Sequence, residues 1–144
     1  MLKSKEQVLS NLLKESMKYP TSIGACATYV DTCEVICSKF NIDLDDKITN
    51  YKDHAEILCM EYMKVNHPDT DYDLYISLPP CYRCARRIED YNHRGNIKNF
   101  YTTNLMCGKI SAHSLKILNV DVDNYLQHCL NQPWANLLNL HKSI

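Results

Sequence analysis

His54-Ala55-Glu56-Ile57 and, further on, Leu74-Tyr75-Ile76-Ser77-Leu78-Pro79-Pro80-Cys81-Tyr82-Arg83-Cys84 are the two stretches whose reading decides the fold. In the second, an apolar and aromatic run reads as a strand from Tyr72 to Leu78, and the double proline ends it. Proline suits the first turn of a helix, where its missing N–H costs nothing, so Cys81 to Tyr91 reads as a helix ending near Gly95. Cys81 and Cys84 are three residues apart and share a face of that helix. In the first stretch, His54 opens a helical segment that runs to Asn66, and His67-Pro68-Asp69 cannot continue it. Both motifs therefore stand at helix starts, the second directly after a strand. Strand ends and helix N-termini are where α/β proteins place ligands.

The residue types point to a metal. One His and two Cys are the nitrogen and thiolate ligands that zinc prefers, and three of them leave the fourth tetrahedral position to water, as a catalytic site requires. The partial positive charge of a helix N-terminus favours thiolate over thiol at Cys81 and Cys84. Glu56, two residues from His54, does not share its helix face and is read as a proton carrier instead of a ligand. Competing readings are a redox C-x-x-C, half of a structural zinc site, or an enzyme that has lost its activity. The remaining cysteines (Cys26, Cys33, Cys37, Cys59, Cys107 and Cys129) show no second ligand pair, and Cys81 lies too far along the chain for a thioredoxin-type motif. The intact Glu56 argues against lost activity.

The order His-x-Glu then Pro-Cys-x-x-Cys is the signature of zinc nucleobase deaminases, and the chain resembles the cytidine and deoxycytidylate deaminase family. The likeness extends beyond the motifs. Gly24-Ala25, a hairpin and then Lys39-Phe40-Asn41 resemble that family's first two strands, which close on Gly-Tyr-Asn, and Leu74 to Cys81 resembles the strand-to-helix passage of deoxycytidylate deaminases. The resemblance implies a zinc ion on His54, Cys81 and Cys84, with Glu56 as the catalytic acid–base group. It implies substrate contacts at Asn41 and Ala55; for Asn41 the competing reading is a residue that merely ends a strand. It further implies hydrolysis of a cytosine nucleotide, dCMP to dUMP and ammonia. Departures are Ile57-Leu58, where deoxycytidylate deaminases often carry Asn-Ala, and Lys39 in place of glycine. Free-cytidine deaminases typically use Cys at the position of His54. The tRNA adenosine deaminases share His-Ala-Glu-Ile but usually carry Glu where this chain has Pro79. A polynucleotide or other nucleobase deaminase remains the alternative with the same chemistry, and a noncatalytic zinc-stabilised interaction protein the alternative from another class.

Elsewhere the chain alternates helices and strands. Ser4 to Tyr19 reads as helix; Ile23 to Val30 and Cys33 to Phe40 as a hairpin around Asp31-Thr32; Ile42 to Asp53 as an acidic loop. Ile97 to Thr103 reads as strand, Ser111 to Leu118 as helix, Val120 to Val122 as a short last strand, and Tyr125 to Leu140 as a helical tail interrupted at Pro133. The expected architecture is a single domain over residues 1–144: an α/β fold, a three-layer α-β-α sandwich around a mixed sheet of about five strands. Tyr101 and Tyr82 are candidates to border a base, and Trp134 is expected to pack the tail onto the core.

Composition narrows the partners. With 144 residues, 45% of them hydrophobic and 23% charged, the chain has material for one core and no run approaching a membrane span. The cysteine pattern, with no signal-peptide-like start, fits a reducing cytoplasm. The net charge of −1 hides an asymmetry: Asn41 to Tyr75 carries nine acidic residues against three lysines, while Cys81 to Lys116 carries seven basic residues against two acidic ones. A long nucleic-acid footprint needs a broadly basic surface, which is absent overall, so a nucleic-acid partner is not expected. A local basic run suits one small anion such as a nucleotide phosphate, with Arg83 the first candidate to hold it and Arg86 or Arg94 behind it. The competing reading makes these arginines a solvated helix face or subunit contacts. The expected assembly is a homo-oligomer.

Overall fold

The first helix, α1 (Lys5–Ser16), starts where Ser4 closes a capping box. Its hydroxyl accepts from Gln7 N at 3.1 Å, and the Gln7 side chain accepts from Ser4 N at 2.9 Å. Val8, Leu9, Leu12 and Leu13 form its buried stripe. The computed structural model describes residues 4–41, 54–78, 88, 96–107, 115–133, 135 and 140–142.

After α1 the chain forms β1 (Gly24–Tyr29), β2 (Val35–Phe40), α2 (Ala55–Asn66), β3 (Tyr72–Ile76), β4 (Ile97–Thr102), β5 (Leu105–Cys107), β6 (Leu115–Ile117), α3 (Asp123–Leu130) and β7 (Leu140–Lys142). Among the described residues, five strands make one mixed sheet in the order β2-β1-β3-β4-β6, and β5 pairs with β7 in a separate ribbon. β1 is antiparallel to both β2 and β3, whereas β3, β4 and β6 run parallel. α1 covers one face through Val8, Leu9 and Leu12 against Cys26, Tyr75 and Tyr101. α2 covers the other through Ile57, Cys59, Met60 and Met63 against Ala25, Ala27, Leu74 and Ile76, where Tyr125 and Cys129 of α3 also lie. The expected mixed sheet with helices on both faces is what the chain forms.

One close approach fixes how the layers meet. A Cβ on Gly24 would lie 2.5 Å from Ser16 Oγ and 2.7 Å from Phe40 Cδ1, so only glycine lets α1, β1 and β2 converge there.

Three expectations are corrected. Within the segment Ser111 to Leu118 read as helix, Leu115–Ile117 is a strand, paired in parallel with Phe100–Thr102. Val120 to Val122 is not a strand but the lead-in to α3, with Val122 at its N-cap. The helical tail stops at Leu130, and Leu140–Lys142 pairs with Leu105–Cys107 as β7. The fifth strand exists, but other residues form it. The acidic loop and the helix from Cys81 to Tyr91 lie outside the described residues, except Ile88, which is buried in the core on the α2 side. Trp134 also lies outside them.

Candidate functional site

One end of the sheet gathers the start of β1, the ends of β2, β3 and β4, and the start of α2. His54 is the N-cap of α2, but its side chain makes no capping hydrogen bond. That task falls to Asn41, just past β2, whose Oδ1 accepts from Ala55 N. An unsatisfied first-turn donor is thereby paired, and the end of β2 is tied to the start of the helix. Asn41 is itself held: its N–H donates to Ile23 O at 3.0 Å, and its carbonyl accepts from Thr21 Oγ1 at 3.1 Å.

Glu56 sits one position into the helix and is buried, with 3% of its surface exposed. Its Oε1 lies 3.8 Å from His54 Nδ1, whose side chain is about one-third exposed. A buried carboxylate and a metal-competent imidazole thus stand side by side at a helix N-terminus, where negative charge is favoured.

β3 brings the second motif to the same end. Ser77 N donates to Gly24 O at 2.9 Å, and Gly24 N donates to Ser77 Oγ at 3.0 Å. The last carbonyls of this passage are caught by hydroxyls at the end of β4: Thr102 Oγ1 donates to Ile76 O at 3.1 Å, and Thr103 Oγ1 to Ser77 O at 3.0 Å. From α3, Tyr125 OH donates to Ser22 O and accepts from Ser77 Oγ at 3.1 Å. The chain leaves Leu78 three residues before Cys81, a reach of about 10 Å at most.

Cys81, Cys84 and Arg83 lie outside the described residues. Among the described residues no three His, Cys, Asp or Glu side chains converge as a metal site. The donor set nonetheless fits zinc: His54 stands at the mouth of a helix with a buried carboxylate beside it, and two cysteines follow the strand that ends at this same place.

Of the substrate-binding expectations, the structure brings Asn41 and Ala55 to the site and leaves Tyr101 out. Ala55 is fully buried and its N–H is taken by Asn41, so it shapes the helix start. Tyr101 lies on the opposite face of the sheet, 3% exposed, its ring 5.0 Å from that of Tyr75 and beneath Lys5 Nζ. It does not border a base at this end, because strand alternation sends it toward α1. The sequence reading missed Thr21, Ser77, Thr103 and Tyr125 as positioning residues. For Thr21, Ser77 and Thr103 the available signal was a hydroxyl beside a strand end, where side chains take over from the ladder, whereas Tyr125 lies within α3.

No family model matches the chain, and no curated protein matches it. Solved structures do share its fold. The guanine deaminase from Nitrosomonas europaea aligns with a TM-score of 0.57 at 15% identity, over 72% of this chain and 60% of that one. A structure from studies of A-to-I editing by tRNA:A34 deaminases at the wobble position of transfer RNA aligns with a TM-score of 0.52 at 18% identity, over 97% of this chain and 95% of that one. This chain thus spans about 60% of the length of the guanine deaminase and nearly all of the tRNA deaminase chain. At these identities the likeness is one of fold.

Proposed function

We propose that the protein is a zinc-dependent hydrolytic deaminase acting on a cytosine nucleotide, dCMP, to give dUMP and ammonia. The observation that carries this reading is the buried Glu56 beside His54, held at the mouth of α2 by Asn41 at the end of the sheet from which the chain runs on to Pro80-Cys81-x-x-Cys84. The fold it shares with solved deaminases supports the reaction class.

Zinc held by His54, Cys81 and Cys84 would supply a Lewis acid that lowers the pKa of a bound water to about 7. The chain's own residues do the rest. Glu56 takes a proton from the attacking water and gives it to the ring nitrogen of the base, and a second transfer protonates the amino group so that it leaves as ammonia. Burial keeps bulk water from competing for those protons. Asn41 positions Glu56 by fixing the first turn of its helix. Arg83 is the proposed phosphate contact, since charge-assisted bonds to phosphate are the strong ones and a remote handle can be used to orient the base.

A second reading, deamination of adenosine in tRNA, is favoured by the end-to-end match to the tRNA deaminase chain. Against it stand the net charge of −1 and Pro79.

The test is a substrate panel on metal-analysed protein. The expected result is about one zinc per chain, rapid conversion of dCMP, and poor activity on deoxycytidine. Removing charge at Arg83 should lower activity on dCMP far more than on the nucleoside. Activity on tRNA with none on dCMP selects the second reading. No ammonia from any substrate at full zinc occupancy rejects both.

A further inference from the structure

Cys37 and Cys59 lie on the same side of the sheet, between β2 and α2, and take no part in the chemistry above. In the β1–β2 ladder Cys37 stands opposite Ala27, whose side chain faces α2, so Cys37 faces α2 as well and packs on that core. Cys59 lies one turn along α2 from Ala55, fully buried, and its thiol donates to the carbonyl of Ala25, two residues from Ala27 in the adjacent strand, at 3.3 Å. We propose that Cys37 and Cys59 are a peroxide-responsive thiol pair that closes to a disulfide and bolts α2 onto β2.

The two sulfurs have unequal environments suited to unequal roles. Cys37 is half-buried, and its thiol is held below its ordinary range, first by the neighbouring Cys59 thiol and then by the Lys39 ammonium. It is the sulfur that reaches an oxidant and ionises. Cys59 is pushed well up, chiefly by burial, and is the resolving thiol. The other ionisable groups near the pair are Tyr72 and Glu56, with Cys26 acting only through the sheet. Cys26 projects to the α1 side of the sheet and is not placed to compete.

The Cys37 thiolate attacks a hydroperoxide, forming the sulfenic acid and releasing hydroxide. The Cys59 thiol then displaces that hydroxyl as water, giving the S–S bond. Two thiols lose two hydrogens and two electrons, and the peroxide is reduced to two waters.

The bond would close a ring from residue 37 to residue 59. That ring contains both Asn41 and the start of α2 that it caps.

The experiment treats the zinc-loaded protein with equimolar hydrogen peroxide and follows intact mass, a disulfide map and thermal unfolding. The expected result is loss of two hydrogens, a Cys37–Cys59 linked peptide, and a Tm raised by roughly 5–10 °C that dithiothreitol reverses. Cys59→Ser should leave a sulfenic acid on Cys37, trapped by dimedone, while Cys37→Ser should leave Cys59 as a thiol. The map of the unsubstituted protein decides the matter even where a variant fails to fold. Linkage of Cys37 to Cys26, oxidation confined to Cys81 and Cys84, or a linked pair with an unchanged or lowered Tm overturns the proposal.

Discussion

On its α2 side the sheet presents Ala25, Ala27, Leu74, Ile76 and Phe100, a mainly apolar surface whose hydroxyls sit at its two ends, Tyr72 at the start of β3 and Thr102, donating to Ile76 O, at the end of β4. On its α1 side the same strands present Cys26, Thr28, Asp73, Tyr75, Asn99 and Tyr101. There, Thr28 Oγ1, Asp73 Oδ2 and Tyr75 OH are buried without a hydrogen-bond partner among the described residues. Asp73 has one partial solution: Asn99 Nδ2 donates to its Oδ1 at 2.8 Å, and Lys116 Nζ donates to Asn99 Oδ1 at 2.6 Å. Close packing leaves little freedom on the first face, and that face carries the helix with His54 and Glu56. The second face holds buried polar atoms at a cost to stability. Changes at the start of α2 should therefore act on activity, truncations in the apolar α2-side core on stability at every pH, and changes on the α1 side on the pH dependence of stability.

The largest expected effect is chemical. Glu56→Gln keeps the shape and removes the proton carrier, so turnover should fall by roughly 10²–10⁴ while zinc content and Tm hold. A variant that stays active breaks the link between this face and catalysis; one that loses zinc as well makes Glu56 a structural residue. Next, Leu74→Ala empties a fully buried position beneath α2 and should cost about 2–5 kcal/mol in urea unfolding. A cost below 1 kcal/mol would mean the α2 face is loosely packed.

Asn41→Ala removes the cap on Ala55 and should cost about 1–2 kcal/mol, with activity falling further than stability because Glu56 loses its register. Equal losses of both would reduce Asn41 to a turn residue.

Asp73→Asn is the smallest change and the sharpest test of the α1 face. Burial raises the carboxyl of Asp73 above the ordinary range, against the opposing influence of Asn99, Lys5 and Lys116. A raised folded pKa means the protonated side chain is tolerated at low pH and that stability is lost as pH rises through the folded value. The asparagine variant should therefore match the native protein in acid and exceed it by about 1 kcal/mol near pH 8, an advantage that grows with pH between the two. An advantage largest in acid would reverse the sign and show that the ionised form is the one the fold holds.

Much of this architecture was legible because the evidence was local. Gly24 to Phe40 reads as a hairpin from its own residues, and His54 to Asn66 announces its helix and its stop. The motif residues stand out in the sequence for a different reason, since few other chemistries use His, Glu and a Cys pair in that order; of them the structure describes His54 and Glu56. What the sequence hid was non-local. Leu115 and Leu118 fit a helical spacing, and only the parallel neighbour Phe100–Thr102 makes Leu115–Ile117 a strand. Leu140–Lys142 has no strand signal of its own and pairs with Leu105–Cys107. The partner of Asn41 is 14 residues away, and no periodicity points to it. Tyr101 was misplaced because its side of the sheet depends on register, and a shift of one residue reverses every side chain.

The bond between Asn41 and Ala55 works as a clasp across residues 42–53, the stretch between the end of β2 and the start of α2. The clasp ties the start of α2, and with it His54 and Glu56, to the end of the sheet. Lengthening such a segment adds only a slowly growing closure entropy, about 0.6 kcal/mol per doubling. A longer stretch between these two anchors would therefore cost little stability while the capped start of α2 kept its register.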